Sequence, residues 1–165
     1  MIRVAVLTIS DSVVAGTRQD KSGPALVEAV ENLGWHVAKT ITLPDVAVGI
    51  SAALSELADS GEIDIAISTG GTGVAIRDVT PEAARAIADR EIPGFGEIMR
   101  SEGRKSTKFA PLSRGGAYTR GRMLIVTLPG SLRGALDSLH AVGDLIPHVV
   151  DLLQGRTEHV QKPAS

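Results

Sequence analysis

The sequence predicts an α/β fold, a three-layer arrangement in which a mainly parallel sheet is covered by helices on both faces. Two observations carry this. Short, almost wholly apolar runs alternate with longer segments whose apolar residues recur at helical spacing, the order that yields parallel strands joined by right-handed crossovers. Hydrophobic residues make up 43% of the chain but aromatics only 2%, so the core must be built from Ala, Val, Ile and Leu, as in helix-covered parallel sheets.

Arg3–Ile9 reads as the first strand. Ser22-Gly23-Pro24 then opens a helix with Leu26, Val27, Val30 and Leu33 on one stripe, and Gly34 stops it. Residues 35–43 form a second strand. Asp45, after Pro44, is positioned to cap a helix carrying Ile50, Leu54 and Leu57, which Gly61 ends. Residues 63–68 form a third strand, apolar nearly throughout. Thr80-Pro81-Glu82 marks the next helix: threonine caps, proline occupies the first turn, and glutamate complements the dipole. Residues 92–108 are less regular, with Phe95, Ile98 and Met99 marking a short amphipathic helix after Pro93-Gly94. Residues 122–128 form another strand. Pro129-Gly130-Ser131 leads into a helix with Leu132, Leu136 and Leu139, and a last apolar helix covers about residues 145–153. Residues 1–154 are expected to form one domain and residues 155–165 a polar tail.

Several function classes fall away. Cysteine is absent, which excludes disulfides, thiolate metal sites and Cys nucleophiles. A net charge of −2 and so few aromatics give neither a field nor stacking platforms for nucleic acid, so none is expected as a partner. No apolar run approaches the ~18 residues of a membrane span. Met1-Ile2-Arg3-Val4 enters a strand directly instead of a signal peptide. A cytoplasmic protein with no membrane partner is the expectation.

In such sheets ligands bind beyond the carboxyl ends of the strands. Three strands end there in polar or glycine-rich turns that feed helices, and all three belong on one edge: Thr8-Ile9-Ser10-Asp11-Ser12, Thr69-Gly70-Gly71-Thr72-Gly73 and Leu128-Pro129-Gly130-Ser131. Glycines let backbone N–H groups approach a ligand, and a helix N-terminus favours anions. A tight turn without ligand is the competing reading. No G-x-x-x-x-G-K-[ST] occurs, Ile76 stands where the third glycine of a dinucleotide fingerprint belongs, and no G-x-S-x-G is present. The acidic candidates at turns are Asp11, Asp20, Asp45 and Asp78. Mg²⁺ needs only one or two carboxylates when substrate phosphate completes its shell. Asp78 precedes Thr80 by two residues and is not needed as a cap. The basic residues from Arg100 to Arg133 read mostly as a solvated face, with Arg114 and Arg133, near the turns, as candidate phosphate holders.

Several stretches together resemble the MogA/MoaB family of molybdenum-cofactor biosynthesis proteins, also found as the G domain of gephyrin. They are Ser10-Asp11-Ser12, Asp20-Lys21-Ser22-Gly23, Pro44-Asp45, Thr69-Gly70-Gly71-Thr72-Gly73, Arg77-Asp78-Val79-Thr80-Pro81-Glu82, Pro93-Gly94-Phe95-Gly96-Glu97, Leu112-Ser113-Arg114 and Leu128-Pro129-Gly130-Ser131. The likeness runs over about residues 3–153. T-G-G-T-G followed by R-D-x-T-P-E is a specific signature, and ADREIPGFGEIMR is closer to MogA than to MoaB.

The resemblance implies a molybdopterin adenylyltransferase that moves AMP from ATP, with Mg²⁺ as cofactor, onto the terminal phosphate of molybdopterin and releases pyrophosphate. It further implies a homotrimer and, as a partner, the metal-inserting protein of the same pathway. By match to the family's motifs, Asp45 and Asp78 are implied as catalytic and metal-associated carboxylates. Gly70, Gly71, Thr72 and Gly73 are implied as the ligand-contacting loop, with Ser10, Asp11 and Ser12 beside it. Ser113, Arg114, Pro129, Gly130 and Ser131 are implied as pterin-phosphate contacts, Ser131 standing where the family often carries asparagine or glutamine. A side chain at position 71 is expected to intrude on the ligand's space with little loss of fold. Two other readings stay open: a MoaB-type molybdopterin-binding protein with weak or no transferase activity, and an assembly scaffold. The pair Asp45 and Asp78 favours transfer, because binding an anion does not call for two carboxylates.

Overall fold

The computed structural model describes residues 1–156, so the tail expected over 155–165 lies largely outside the described residues. Among these residues, six strands form one sheet in the order β2-β1-β3-β6-β5-β4. Strands β1 (Arg3–Ile9), β2 (His36–Leu43), β3 (Ile65–Thr69) and β6 (Met123–Leu128) run parallel. Strands β5 (Gly116–Arg120) and β4 (Arg90–Ile92) add an antiparallel edge.

Successive strand residues point to opposite faces. Val4, Val6, Ile65, Ile67, Leu124 and Val126 therefore pack under one helical layer. It consists of α2 (Ser22–Asn32), α5 (Pro93–Gly103), α6 (Leu132–Val142) and α7 (Ile146–Leu153), and contributes Leu26, Val30, Phe95 and Leu139. Ala5, Leu7, Ala66, Ile125 and Tyr118 pack against α3 (Ala47–Ser60) and α4 (Thr80–Ile87) on the other side. Both faces are buried, which is why the central strands are mostly apolar instead of alternating, with Thr8, Ser68, Thr69 and Thr127 near their carboxyl ends. Each fully buried aliphatic side chain contributes on the order of 1.5–3 kcal/mol.

Two strands were not among those expected. β4 has only three residues, two of them exposed, and β5 begins with a glycine and an alanine, which have little intrinsic preference for strands. Their pairing comes from tertiary context. The expected caps also differ. The residue before α3 is Val46, with no side-chain cap bond, and Asp45 is engaged elsewhere. Thr80 is the first residue of α4, and its hydroxyl donates to the Gly70 carbonyl at 2.9 Å instead of capping its own helix.

From β1 the chain passes to β2 on one side, while β3 enters on the other. This reversal opens a crevice at the carboxyl ends of β1 and β3. At the opposite end of the sheet, Asp64 is 4% exposed and accepts bonds from Arg3 N (2.8 Å), from the Arg3 guanidinium (2.8 and 3.1 Å) and from Gln154. Burial pushes its carboxyl up, but the bonds from Arg3 outweigh burial and hold it below its ordinary value. A folded-state depression gives stability that is present above the unfolded pKa of ~4 and is lost as pH falls through the folded value. Asp64→Asn is therefore expected to lose about 2 kcal/mol at neutral pH, the scale of bonds to a charged group. The deficit should shrink to near zero in acid, as read by urea melts across pH. A deficit independent of pH would contradict this account. No helix among the described residues is long and apolar enough to cross a membrane.

Candidate functional site

The crevice has a volume of about 530 Å³. Its walls are the three turns singled out from the sequence: Ser10, Asp11 and Ser12; Gly70, Gly71, Thr72 and Gly73; and Gly130 with Ser131. Asp45 and Asp78 line it as well. The structure thus gathers Asp11, Gly71, Asp78 and Gly130 in one place at the carboxyl edge of the sheet.

The glycine loop is shaped by close approach. Gly70 has φ 103° and is so near β1 that a Cβ would lie 2.2 Å from the Ile9 carbonyl oxygen. Gly71 has φ 68°, and its Cβ would lie 2.3 Å from the Thr80 hydroxyl and 3.1 Å from Asp45 Oδ1. The expectation that a side chain at 71 would trouble only the ligand is thereby overturned, because it would strike the protein itself. Gly73 does not need positive φ. Its Cβ would sit 2.7 Å from Asp78 Oδ2, so its role is to let that carboxylate close over the loop. Thr80 N donates to Gly71 O at 3.1 Å, which, with the Thr80 hydroxyl, ties the loop to the start of α4.

The four carboxylates differ in what they have left to offer. Asp11 opens α1 (Asp11–Val14), a short turn capped by Ser10. Its Oδ1 accepts the Asp45 N–H at 2.9 Å and its Oδ2 accepts from Arg77 Nε, so both oxygens are occupied. The Arg77 bond, then the Asp45 N–H, holds its carboxyl below the ordinary range. Asp20 is likewise occupied, accepting the Thr8 hydroxyl at 2.7 Å and the Gly23 N–H at 2.9 Å. Asp45 accepts the Asp11 N–H on Oδ2 at 3.0 Å, and Asp78 accepts the Ala75 N–H on Oδ2 at 2.9 Å. Among the described residues, neither Asp45 Oδ1 nor Asp78 Oδ1 receives a hydrogen bond. These two carboxylates each keep one oxygen for a ligand.

The late basic residues are mostly engaged within the protein. Arg114 donates to Gly73 O and Asp78 O, both at 2.8 Å, and pairs with Glu82. It is a strut behind the loop and lies off the crevice wall. Ser113 faces a second cavity of about 410 Å³, an apolar slot formed by Met99, Phe109, Ala110 and Pro129 with Arg100 and Arg133. Ser131 borders both cavities, and its Oγ caps α6 by accepting the Gly134 N–H at 3.1 Å. Sequence reasoning quoted Lys21 only within a family-like stretch and gave neither it nor Arg18 a role, yet both line the crevice ahead of α2. A lysine directly before a helix start was the available signal.

Four carboxylates thus face two cations on the crevice lining. A polyphosphate would be repelled there unless a divalent cation came with it. Among the described residues no group of three or more metal-ligating side chains occurs. The two half-free carboxylates fit Mg²⁺, which typically takes one or two carboxylates plus substrate phosphate.

Comparisons with known proteins bear on the chain as a whole. The family described as "Probable molybdopterin binding domain" matches residues 5–148. The chain is 36% identical to a molybdopterin adenylyltransferase of Helicobacter pylori strain J99, covering 98% of this chain and 93% of that protein. It is also 36% identical to the molybdopterin adenylyltransferase of Escherichia coli K12, over 93% of this chain and 86% of that one. Among solved structures, the molybdopterin biosynthesis enzyme MoaB from Thermus thermophilus superposes with a TM-score of 0.88 at 44% identity, covering 94% of this chain and 98% of the other. The chain belongs to the MogA/MoaB family of molybdenum-cofactor biosynthesis proteins.

Proposed function

We propose that this chain is a molybdopterin adenylyltransferase, moving AMP from ATP to the terminal phosphate of molybdopterin. The observation that carries the reading is the pair of half-free carboxylates, Asp45 and Asp78, beside a glycine loop that presents backbone instead of side chains. The names of the relatives agree with it.

In this reading the ATP phosphates lie in the crevice, and the pterin occupies the apolar slot with its phosphate toward Ser131, where the two cavities meet. The N-terminus of α6 and the start of α2, with Lys21, supply partial and full positive charge for phosphate oxygens. An oxygen of the pterin phosphate attacks the α-phosphorus, the bond from that phosphorus to the bridging oxygen breaks, and pyrophosphate leaves. No side chain must take a proton or form a covalent bond, because the attacking phosphate is already ionised. Alignment and charge neutralisation are sufficient. Asp45 and Asp78 would hold Mg²⁺, which supplies charge neutralisation to the phosphates.

The test is to incubate the protein with molybdopterin, ATP and Mg²⁺ and to assay adenylylated pterin and pyrophosphate. Tight pterin binding without product would favour the MoaB-type reading, for which the 44% identity to the Thermus protein of that name speaks. The family likeness also supports a homotrimer and hand-over of product to the metal-inserting protein. Sedimentation at micromolar concentration is expected to give three times the 17.2 kDa chain mass, and a monomer would refute the assembly.

A further inference from the structure

Two loops on the β1–β2 side of the crevice are tied to each other by a reciprocal pair of bonds. The Asp45 N–H meets Asp11 Oδ1, and the Asp11 N–H meets Asp45 Oδ2. The loop that carries Asp78 is held from behind by Arg114, which grips the Gly73 and Asp78 carbonyls. Its outer part is otherwise bare: Val74 is 70% and Ile76 99% exposed. Among the described residues, the only hydrogen bond from residues 73–78 to the Asp11 and Asp45 loops is Arg77 Nε to Asp11 Oδ2. Arg77, next to Asp78 in the chain, thus reaches the carboxylate that accepts the Asp45 N–H.

We infer that Asp11 is a positioning residue, and that its bonds to Arg77 and to the Asp45 backbone set the separation of the Asp45 and Asp78 carboxylates. The inference rests on the transferase reading of the crevice. Both Asp11 oxygens already accept bonds within the protein, and it acts through the two residues it holds. The ion pair is exposed at both ends, 66% at Arg77 and 37% at Asp11, and such pairs add little to folding stability. Its value lies in geometry: residues that orient metal-binding carboxylates typically change metal affinity or activity by about 10- to 100-fold when replaced.

Asp11→Asn isolates the effect. The amide oxygen can still accept the Asp45 N–H, while the amide NH₂ turns a donor toward the Arg77 guanidinium. Arg77→Met breaks the same bond from the other side. Calorimetry should show ATP affinity in the presence of Mg²⁺ reduced by about tenfold in each variant, and by no more in the double variant. Affinity for molybdopterin should stay within about twofold, and the melting temperature within a few degrees. Amide exchange over residues 74–78 should quicken in both variants without ligand. Additive losses in the double variant would overturn the inference, as would single-variant Mg-ATP affinities within twofold of wild type. Wild-type protein that binds no Mg-ATP would overturn the transferase reading and this inference with it.

Discussion

Asp78→Asn is expected to lower AMP transfer by about 10²-fold or more while changing molybdopterin affinity only slightly. The asparagine can keep the turn, because its amide oxygen can still accept the Ala75 N–H that Asp78 Oδ2 accepts at 2.9 Å. What changes is the other half of the group. The oxygen that receives no hydrogen bond from the described residues becomes an NH₂, a donor without negative charge. That half can neither neutralise a cation nor hold one. Without it, the negative crevice loses the means to accept a polyphosphate in the attacked geometry. The check is a single-turnover assay at saturating Mg-ATP, with pterin affinity measured separately. Transfer at the wild-type rate would make Asp78 a purely structural residue.

Gly70→Ala is expected to destabilise the fold by about 3–5 kcal/mol, combining positive-φ strain with forced overpacking. The backbone sits at φ 103°, and the new Cβ would lie 2.2 Å from the carbonyl oxygen of Ile9, which cannot rotate away as a side chain could. Against a typical stability of 5–15 kcal/mol this is a large fraction, equivalent to roughly 10 °C in melting temperature. Gly34→Ala is the control. Gly34 also has positive φ, 79°, but nothing lies within 4 Å of its Cβ position, so only the conformational penalty of about 1 kcal/mol applies. Equal losses at the two positions would remove close packing of the loop from the explanation.

The parts of the fold that sequence revealed are those fixed by local pattern. Leu26, Val30, Ile50, Leu54 and Leu57 recur at helical spacing and are buried as that spacing implies. The mostly apolar runs of β1, β3 and β6 indicated strands covered on both faces. The turns after them indicated the edge on which a ligand would lie. Spacing says nothing of partners far apart in the chain. The Asp11 and Asp45 bonds join residues 34 apart, and Arg77 reaches Asp11 across 66. An aspartate after Pro44 therefore looked like a helix cap, and Arg114 like a free cation. In the fold each is fixed by a group that no local window contains. The edge strands stayed hidden for the related reason that β4 and β5 are held by pairing and not by composition.

The place of β6 in the sheet also orders events in time. It pairs with β3 on one side and β5 on the other, and the bond from Thr69 to Pro129 spans 60 residues. During synthesis β1, β2 and β3 emerge first and can pair with one another, while the segment that completes the crevice has not yet been made. Gly130 and Ser131 come just after β6, so the third wall arrives only after this long-range pairing closes. A nucleotide or pterin cannot template the early steps, because its pocket does not yet exist. Ligand instead recognises finished chains, adding stability to the native state by mass action. Its kinetic effect falls on the rate at which completed molecules come apart.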